Sequence, residues 1–288
     1  MPRKRRLCGA MAAHMRLLEE YSPFRNRQRT LEQQTTLRRA LAKVKKPSLV
    51  KVPVVVNVVF RTEEQSISMT QIRSQISVLN RDFAKRNKDR TKVPEAWRGL
   101  AADTRIRFKL AKVTRTETTR SSFSTDDGVK YAEDGGVPPL EPEENLNLWV
   151  CALSNGILGY AQFPGGPAET DGVVIDYRAF GTTGTAEAPF DLGRTATHEV
   201  GHYFNLRHIW ADTEDCSGSD FVADTPNAAG PNYGTPPFPS VSCGNGPNGD
   251  MFMNYMDYVD DAAMFLFTAQ QVSRMRTALE EARAGLRG

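Results

Sequence analysis

Three of the four histidines in this 288-residue chain fall within eleven residues, His198-Glu199-Val200-Gly201-His202-Tyr203-Phe204-Asn205-Leu206-Arg207-His208. His198 and His202 are four apart, so on a helix they project from one face and both imidazoles can reach one metal ion. Glu199 is turned off that axis, where it can hold the attacking water as general base without being a ligand. His208 lies six residues beyond His202 and cannot share that face, so the helix must end and the chain must turn sharply near residue 205. Asn205 suits the turn, because after glycine it is the residue that most readily takes the left-handed conformation at a helix end. Three imidazoles with an open fourth position describe a catalytic zinc, whereas a structural site would close with a fourth Cys or His.

The rest of the chain can build a core around such a site. With 40% hydrophobic and 25% charged residues it has the composition of a water-soluble globular protein, and no apolar run approaches the roughly 18 residues of a membrane-spanning helix. Length allows one large domain or two modest ones, and one domain with two halves around a cleft fits as well as either. Residues 1–50 carry 13 Lys/Arg against 3 Asp/Glu, while the remainder is acidic by seven charges. The start Pro2-Arg3-Lys4-Arg5-Arg6 would suit a nucleic-acid arm, but an acidic partner for it is present in the same chain, and self-docking is the preferred reading. Leu7 to Ala13 is broken by His14 and Arg16 before a secretory signal core forms, so no signal peptide is read here.

The order of elements is that of an α/β protein. Residues 12–46 read as helical fragments broken at Tyr21-Ser22-Pro23-Phe24, a detachable preface. A buried strand is predicted between Val50 and Arg61, then a helix from Thr70 with Ile72, Ile76, Leu79 and Phe83 on one stripe. Ile106–Val113, Leu146–Leu153 and Val173–Tyr177 read as further strands. Residues 212–250 are loop-rich, and a last helix is signalled by Thr268 as N-cap with Gln271 three positions on. Cys151, in an apolar strand, reads as a buried free thiol.

The histidine cluster resembles the extended HExxHxxGxxH motif of the metzincin metallopeptidases, with Asn205 where most members have glycine. Asn254-Tyr255-Met256-Asp257-Tyr258 looks like the Met-turn of that clan, which places Met256 under the zinc and Tyr258 near the substrate carbonyl. Within the clan, His198 to Trp210, Asp220 to Pro226 and Asp250 to Asp261 resemble the pappalysins, most closely the short microbial ulilysin-like enzymes. That resemblance implies a zinc endopeptidase: an upper half to about residue 205, with a twisted sheet and the active-site helix, and an irregular lower half, 206–288, with a C-terminal helix. It implies a Cys216–Cys243 disulfide, closing a 28-residue ring and stabilising by about 3–4 kcal/mol in the chain-entropy model. It implies that Cys8, in Arg6-Leu7-Cys8-Gly9, is a cysteine switch whose thiolate takes the open zinc position.

The expected molecule is therefore a latent zymogen, with a propeptide of residues 1–30, extending to about 46 at most, and a catalytic domain from 31 to 288. Calcium is carried onto Asp220 and Thr225, with backbone oxygens of Val222 or Ala223, and with Asp212, Glu214 and Asp224 ranked lower. Asp261 matches the acid at the base of the S1′ pocket, which would select Arg or Lys on the C-terminal side of the cut; its neighbour Asp260 could fill the role instead. The segment Gly156–Ala161, with Leu158, Gly159 and Tyr160, resembles the edge strand that pairs with substrate. Arg25, Arg27 and Arg29, after Pro23, are the expected autolytic stretch. Expected partners are protein or peptide substrates and the chain's own propeptide, with no nucleic acid and no membrane, and a secreted monomer is expected. The competing class is a zinc-dependent binding module without catalysis, against which an intact Glu199 argues.

Overall fold

The computed structural model describes residues 5–41 and 47–287; Arg3, Lys4 and the far limit of the preface at residue 46 lie outside them. Two helices, α1 (Ala10–Glu20) and α2 (Ser22–Leu41), precede strand β1 (Val50–Phe60), helix α3 (Met69–Asp82), the short α4 (Glu95–Arg98), and strands β2 (Ile106–Glu117), β3 (Leu146–Cys151), β4 (Gly159–Ala161) and β5 (Val173–Asp176). The active-site helix α5 (Arg194–Tyr203) and the C-terminal α6 (Ala269–Glu281) follow. The strands form one sheet in the order β2-β1-β3-β5-β4, parallel except for β4 at the edge.

A parallel sheet is covered on both faces, which is why β1 is a nearly unbroken valine run. Val54, Val56 and Val58 share a core with α3 and α5, while Val59, Trp149, Cys151 and Val174 pack into a second cluster on the opposite face. Asn57, the polar break in that run, is satisfied in place: its side-chain amide donates to Asn147 Oδ1 at 3.1 Å and its carbonyl accepts from the Thr114 hydroxyl at 2.7 Å. The free thiol of Cys151 is buried in β3.

Boundaries shift by a few residues from the sequence reading. The α3 helix begins at Met69 because Ser68 caps it, accepting from the Gln71 N–H, and β2 runs on to Glu117 beside the whole length of β1. The preface breaks where the sequence reading put it: Tyr21 is extended between α1 and α2, and Pro23 stands in the first turn of α2, where its missing N–H removes no helical bond. Arg25, Arg27 and Arg29 are exposed positions on that helix, and the expected propeptide limit at residue 30 falls inside it.

The lower half has little regular structure and is held by side chains. The Cys216–Cys243 disulfide is formed across the long loop region. Thr268 and Gln271 make a full capping box at the start of α6, and Asp224 reinforces it by accepting from the Thr268 hydroxyl at 2.6 Å and the Gln270 N–H at 3.0 Å. Gln271 also exchanges two hydrogen bonds with the Asn254 side chain, at 2.9 and 3.0 Å, and Asn254 Oδ1 accepts from the Met256 N–H. One glutamine thus ties the helix start to the turn below the histidines. Replacing it, Gln271→Ala, removes two hydrogen bonds of the buried Asn254 side chain and is expected to lower stability by about 1–3 kcal/mol in urea unfolding; an unmoved midpoint would show that Asn254 re-pairs locally.

Candidate active site

Helix α5 carries His198 and His202 and ends as the motif demands. Asn205 takes φ 72°, its N–H donates to His202 O at 2.8 Å, and the Leu206 N–H donates to Gly201 O at 2.9 Å. This is the paired bonding of a Schellman end, which reverses the chain and returns His208 to the other two rings. The three Nε2 atoms lie 3.1–3.2 Å from one another. Each ring is held from behind: Nδ1 of His198 faces Tyr255 O at 2.7 Å, that of His202 faces Leu206 O at 2.8 Å, and that of His208 faces Asp212 Oδ1 at 2.6 Å. Oxygens of this kind only accept, so each Nδ1 carries the proton and each Nε2 turns a lone pair inward. Burial, then the neighbouring imidazoles, pushes His198 and His202 well below the usual histidine range, which keeps them neutral. Three converging lone pairs repel unless a cation lies between them, and their spacing is close to that of ligands around zinc with bonds of about 2 Å.

The fourth corner holds Cys8. Its sulfur is 3.6 Å from His202 Nε2 and donates to Glu199 Oε2 at 3.4 Å, so four ligand atoms gather within 4.8 Å of one another. Burial, with the Glu199 carboxylate as the second cause, holds the thiol above its ordinary range in the absence of a cation. Glu199 itself is pushed up to about 8 by burial. Gly9, next to Cys8, passes close beneath the upper half: a Cβ there would stand 2.4 Å from the Thr125 methyl carbon.

Around this centre the preface fills the cleft as an added strand. The Leu158 N–H donates to Leu7 O and the Gly9 N–H donates to Gly159 O, both at 2.9 Å, in a parallel bridge between Cys8 and Gly159. Leu158 and Gly159 thus present the free edge beside β4. Tyr160 does not reach the cleft with its ring, which is buried in the far cluster under Lys130 Nζ, 5.1 Å from its centroid. Tyr258 closes the opposite wall, with its hydroxyl 3.5 Å from Cys8 O and its ring 4.9 Å from that of His208.

Arg6 enters a pocket lined for a cation. Its Nη2 lies 2.5 Å from Asp261 Oδ1, its Nη1 donates to the Thr195 hydroxyl at 3.0 Å, its Nε donates to Val259 O at 3.2 Å, and the guanidinium sits 5.0 Å from the Phe190 ring centroid. Both partners are fully shielded, with 1% and 0% side-chain exposure. The other oxygen of Asp261 accepts from the backbone N–H groups of Leu192 and Arg194 at 2.8 and 3.1 Å, so the acid is fixed by the entry to α5 whatever fills the pocket. Sequence reasoning placed the acid but overlooked Arg6, whose only local signal was its position two residues before Cys8.

Met256 lies beneath the histidines and explains a second residue that was missed. A Cβ on Gly201 would come 2.5 Å from Met256 Sδ, so the helix face between the two histidines must be bare for the turn to pack on it. Elsewhere in the lower half, the Thr225 hydroxyl lies 2.6 Å from Asp220 Oδ2, to which it donates, and 3.0 Å from Val222 O, and burial raises the Asp220 carboxyl to about 6. Asp224 and Asp212 are engaged elsewhere, the first at the α6 cap and the second on His208.

Comparison with known proteins agrees with this arrangement. A family model described as pregnancy-associated plasma protein-A matches residues 142–280, and a reprolysin-like metallopeptidase model matches residues 71–209. A promirolysin mutant of Tannerella forsythia is 43% identical, with a TM-score of 0.89, over 98% of this chain and 97% of that one. Mature mirolysin of the same organism with a cleaved peptide is 47% identical, with a TM-score of 0.82, over 84% of this chain and 97% of its own. An extracellular metalloprotease of Arthroderma benhamiae is 30% identical over 227 residues, 76% of this chain and 74% of that one. With its histidine triad, Met-turn and mixed sheet, the chain is a metalloendopeptidase of the pappalysin family, within the metzincin clan.

Proposed function

We propose that this protein is a secreted, latent zinc endopeptidase that cleaves on the N-terminal side of Arg and Lys. The observation that carries the reading is the double occupancy of the cleft by its own preface, with Arg6 on Asp261 and Cys8 at the three histidines. His198, His202 and His208 would hold the zinc, which supplies Lewis acidity toward the scissile carbonyl and the attacking water. Glu199 takes the proton of that water and delivers it to the leaving amine. Departure of the preface opens Glu199 to water, relieving the burial that raises its carboxyl, while it also takes away the Cys8 and Arg6 contacts that lower it. Tyr258, at the carbonyl of the residue beside the metal site, donates toward the developing oxyanion.

Polarity explains why the preface inhibits and is not cut. In a substrate cleaved before Arg, the carbonyl at the metal belongs to the residue preceding that Arg. In the preface the residue at the metal site, Cys8, follows Arg6, so the chain runs the wrong way and offers no bond for cleavage there. Promirolysin covers 98% of this chain and mature mirolysin 84%, a difference of about 40 residues, which supports a propeptide reaching the end of α2 near Leu41. Cleavage before Arg25, Arg27 or Arg29 requires α2 to unwind first, because a substrate paired with β4 must be extended. Secretion is supported by relatives named as extracellular metalloproteases and by the disulfide. Calcium at Asp220 and Thr225 is supported by their shared cluster of oxygens.

Arg6 uses three donors on three acceptors, a fork that lysine cannot reproduce. Digestion of a peptide library by the processed enzyme should therefore yield new N-termini beginning with Arg more often than Lys, and Asp261→Ala should abolish both; unchanged preference would refute the pocket assignment. Glu199→Ala should bind one zinc per chain yet stay full length on storage and leave casein intact, and any turnover by this variant would remove Glu199 from its role. Calcium should raise the melting temperature of the parent but not of Asp220→Ala; equal shifts would place the ion elsewhere.

A further inference from the structure

We propose that Asp212 is a positioning residue for the metal centre, making His208 the strongest donor of the three zinc ligands. This rests on the zinc-peptidase reading and deepens it. The three rings are backed unequally: His198 and His202 donate to neutral backbone carbonyls, whereas His208 alone donates to a carboxylate, at 2.6 Å. A carboxylate behind an imidazole fixes its tautomer and draws the Nδ1 proton, which raises the electron density that Nε2 offers a metal.

The local backbone is bent to make this contact. Ala211 and Asp212 both take φ 57°, consecutive left-handed residues with side chains, in a conformation that glycine would adopt with less strain. The Ala211 N–H donates to His208 O at 2.9 Å, closing a tight turn that carries the carboxylate back four residues to the ring it supports. Trp210 lies flat on the same imidazole, with centroids 4.4 Å apart and planes within 7°, and Tyr258 meets it edge-on at 4.9 Å. His208 is thus clamped by two aromatic rings and by Asp212, and only Asp212 contributes charge. Asp212 keeps 26% side-chain exposure, with one oxygen facing inward to the ring.

Equilibrium zinc binding against a graded competing chelator tests the assignment, using the full chain and its Asp212→Asn variant, both of which retain Cys8. Asparagine preserves size and one acceptor oxygen but removes the charge, so the turn is kept while the donor effect is lost. Zinc affinity should fall about 10- to 100-fold, with the urea midpoint of the zinc-free protein unmoved. An affinity within twofold of the parent overturns the proposal. So does a loss accompanied by a lower midpoint of the zinc-free variant, which would make Asp212 a structural turn residue only. A parent chain that takes up no zinc overturns the peptidase reading itself, and this inference with it.

Discussion

Aiming three imidazole lone pairs at one point requires that each ring be held from behind, and the rest of the molecule is arranged around that requirement. One support, Leu206 O, is supplied by the turn that ends α5 at Asn205; another, Tyr255 O, by the Met-containing turn; the third, Asp212, by the loop after His208. The sheet and α3 fix the helix, but the rings are aimed by the irregular half. The disulfide, the α6 cap and the Asn254–Gln271 pair are then understandable as supports for turns that have little secondary structure of their own.

Besides an exposed pairing of Arg38 with Glu280 and Glu281 on α6, the preface engages the catalytic domain through charge at three separated places. Arg6 meets Asp261 in the pocket, Arg16 meets Asp127 at 2.5 Å, and Glu32 accepts from the buried Arg274, whose Nε also donates to Asn205 O. The first contact is shielded from water on both sides, where a lost partner leaves an uncompensated buried charge and carries a large penalty. The other two keep one partly exposed partner each, 28% for Arg16 and 26% for Glu32, and contribute less. The last reaches the same Asn205 turn that brings His208 into place, so preface and metal site share a support.

Much of this was legible in the sequence where a signal and its effect are close together. The histidine spacing required the turn at Asn205, Thr268 and Gln271 marked the start of α6, and the valine run marked a strand buried on both faces. Signals failed where the partner is distant. Arg6 and Asp261 are 255 residues apart, and only its place two residues before Cys8 distinguishes Arg6 from the other basic residues of the preface. Asp212, Asp220 and Asp224 form one acidic loop by composition, but folding sends them to a histidine, a threonine and a helix cap. The break at Tyr21-Ser22-Pro23-Phe24 was legible too: the chain leaves α1 at Tyr21, and Pro23 is accommodated in the first turn of α2.

The connection between preface and enzyme has a consequence for how inhibition ends. While one chain carries both, the docking of Arg6 and Cys8 is intramolecular, at an effective concentration on the order of millimolar for a short flexible link. A single cut makes it bimolecular and lowers the relevant concentration to that of the freed fragment, without changing any contact. A cut beyond α2 releases one piece bearing Arg6, Arg16 and Glu32 together, a multivalent fragment able to rebind. A cut within α2, between Arg25 and Arg29, separates Glu32 from the cleft-binding residues, so the released piece keeps Arg6 and Arg16 and loses one anchor. Where the first cut falls therefore decides how many anchors the released fragment keeps, and so how strongly it competes for the cleft.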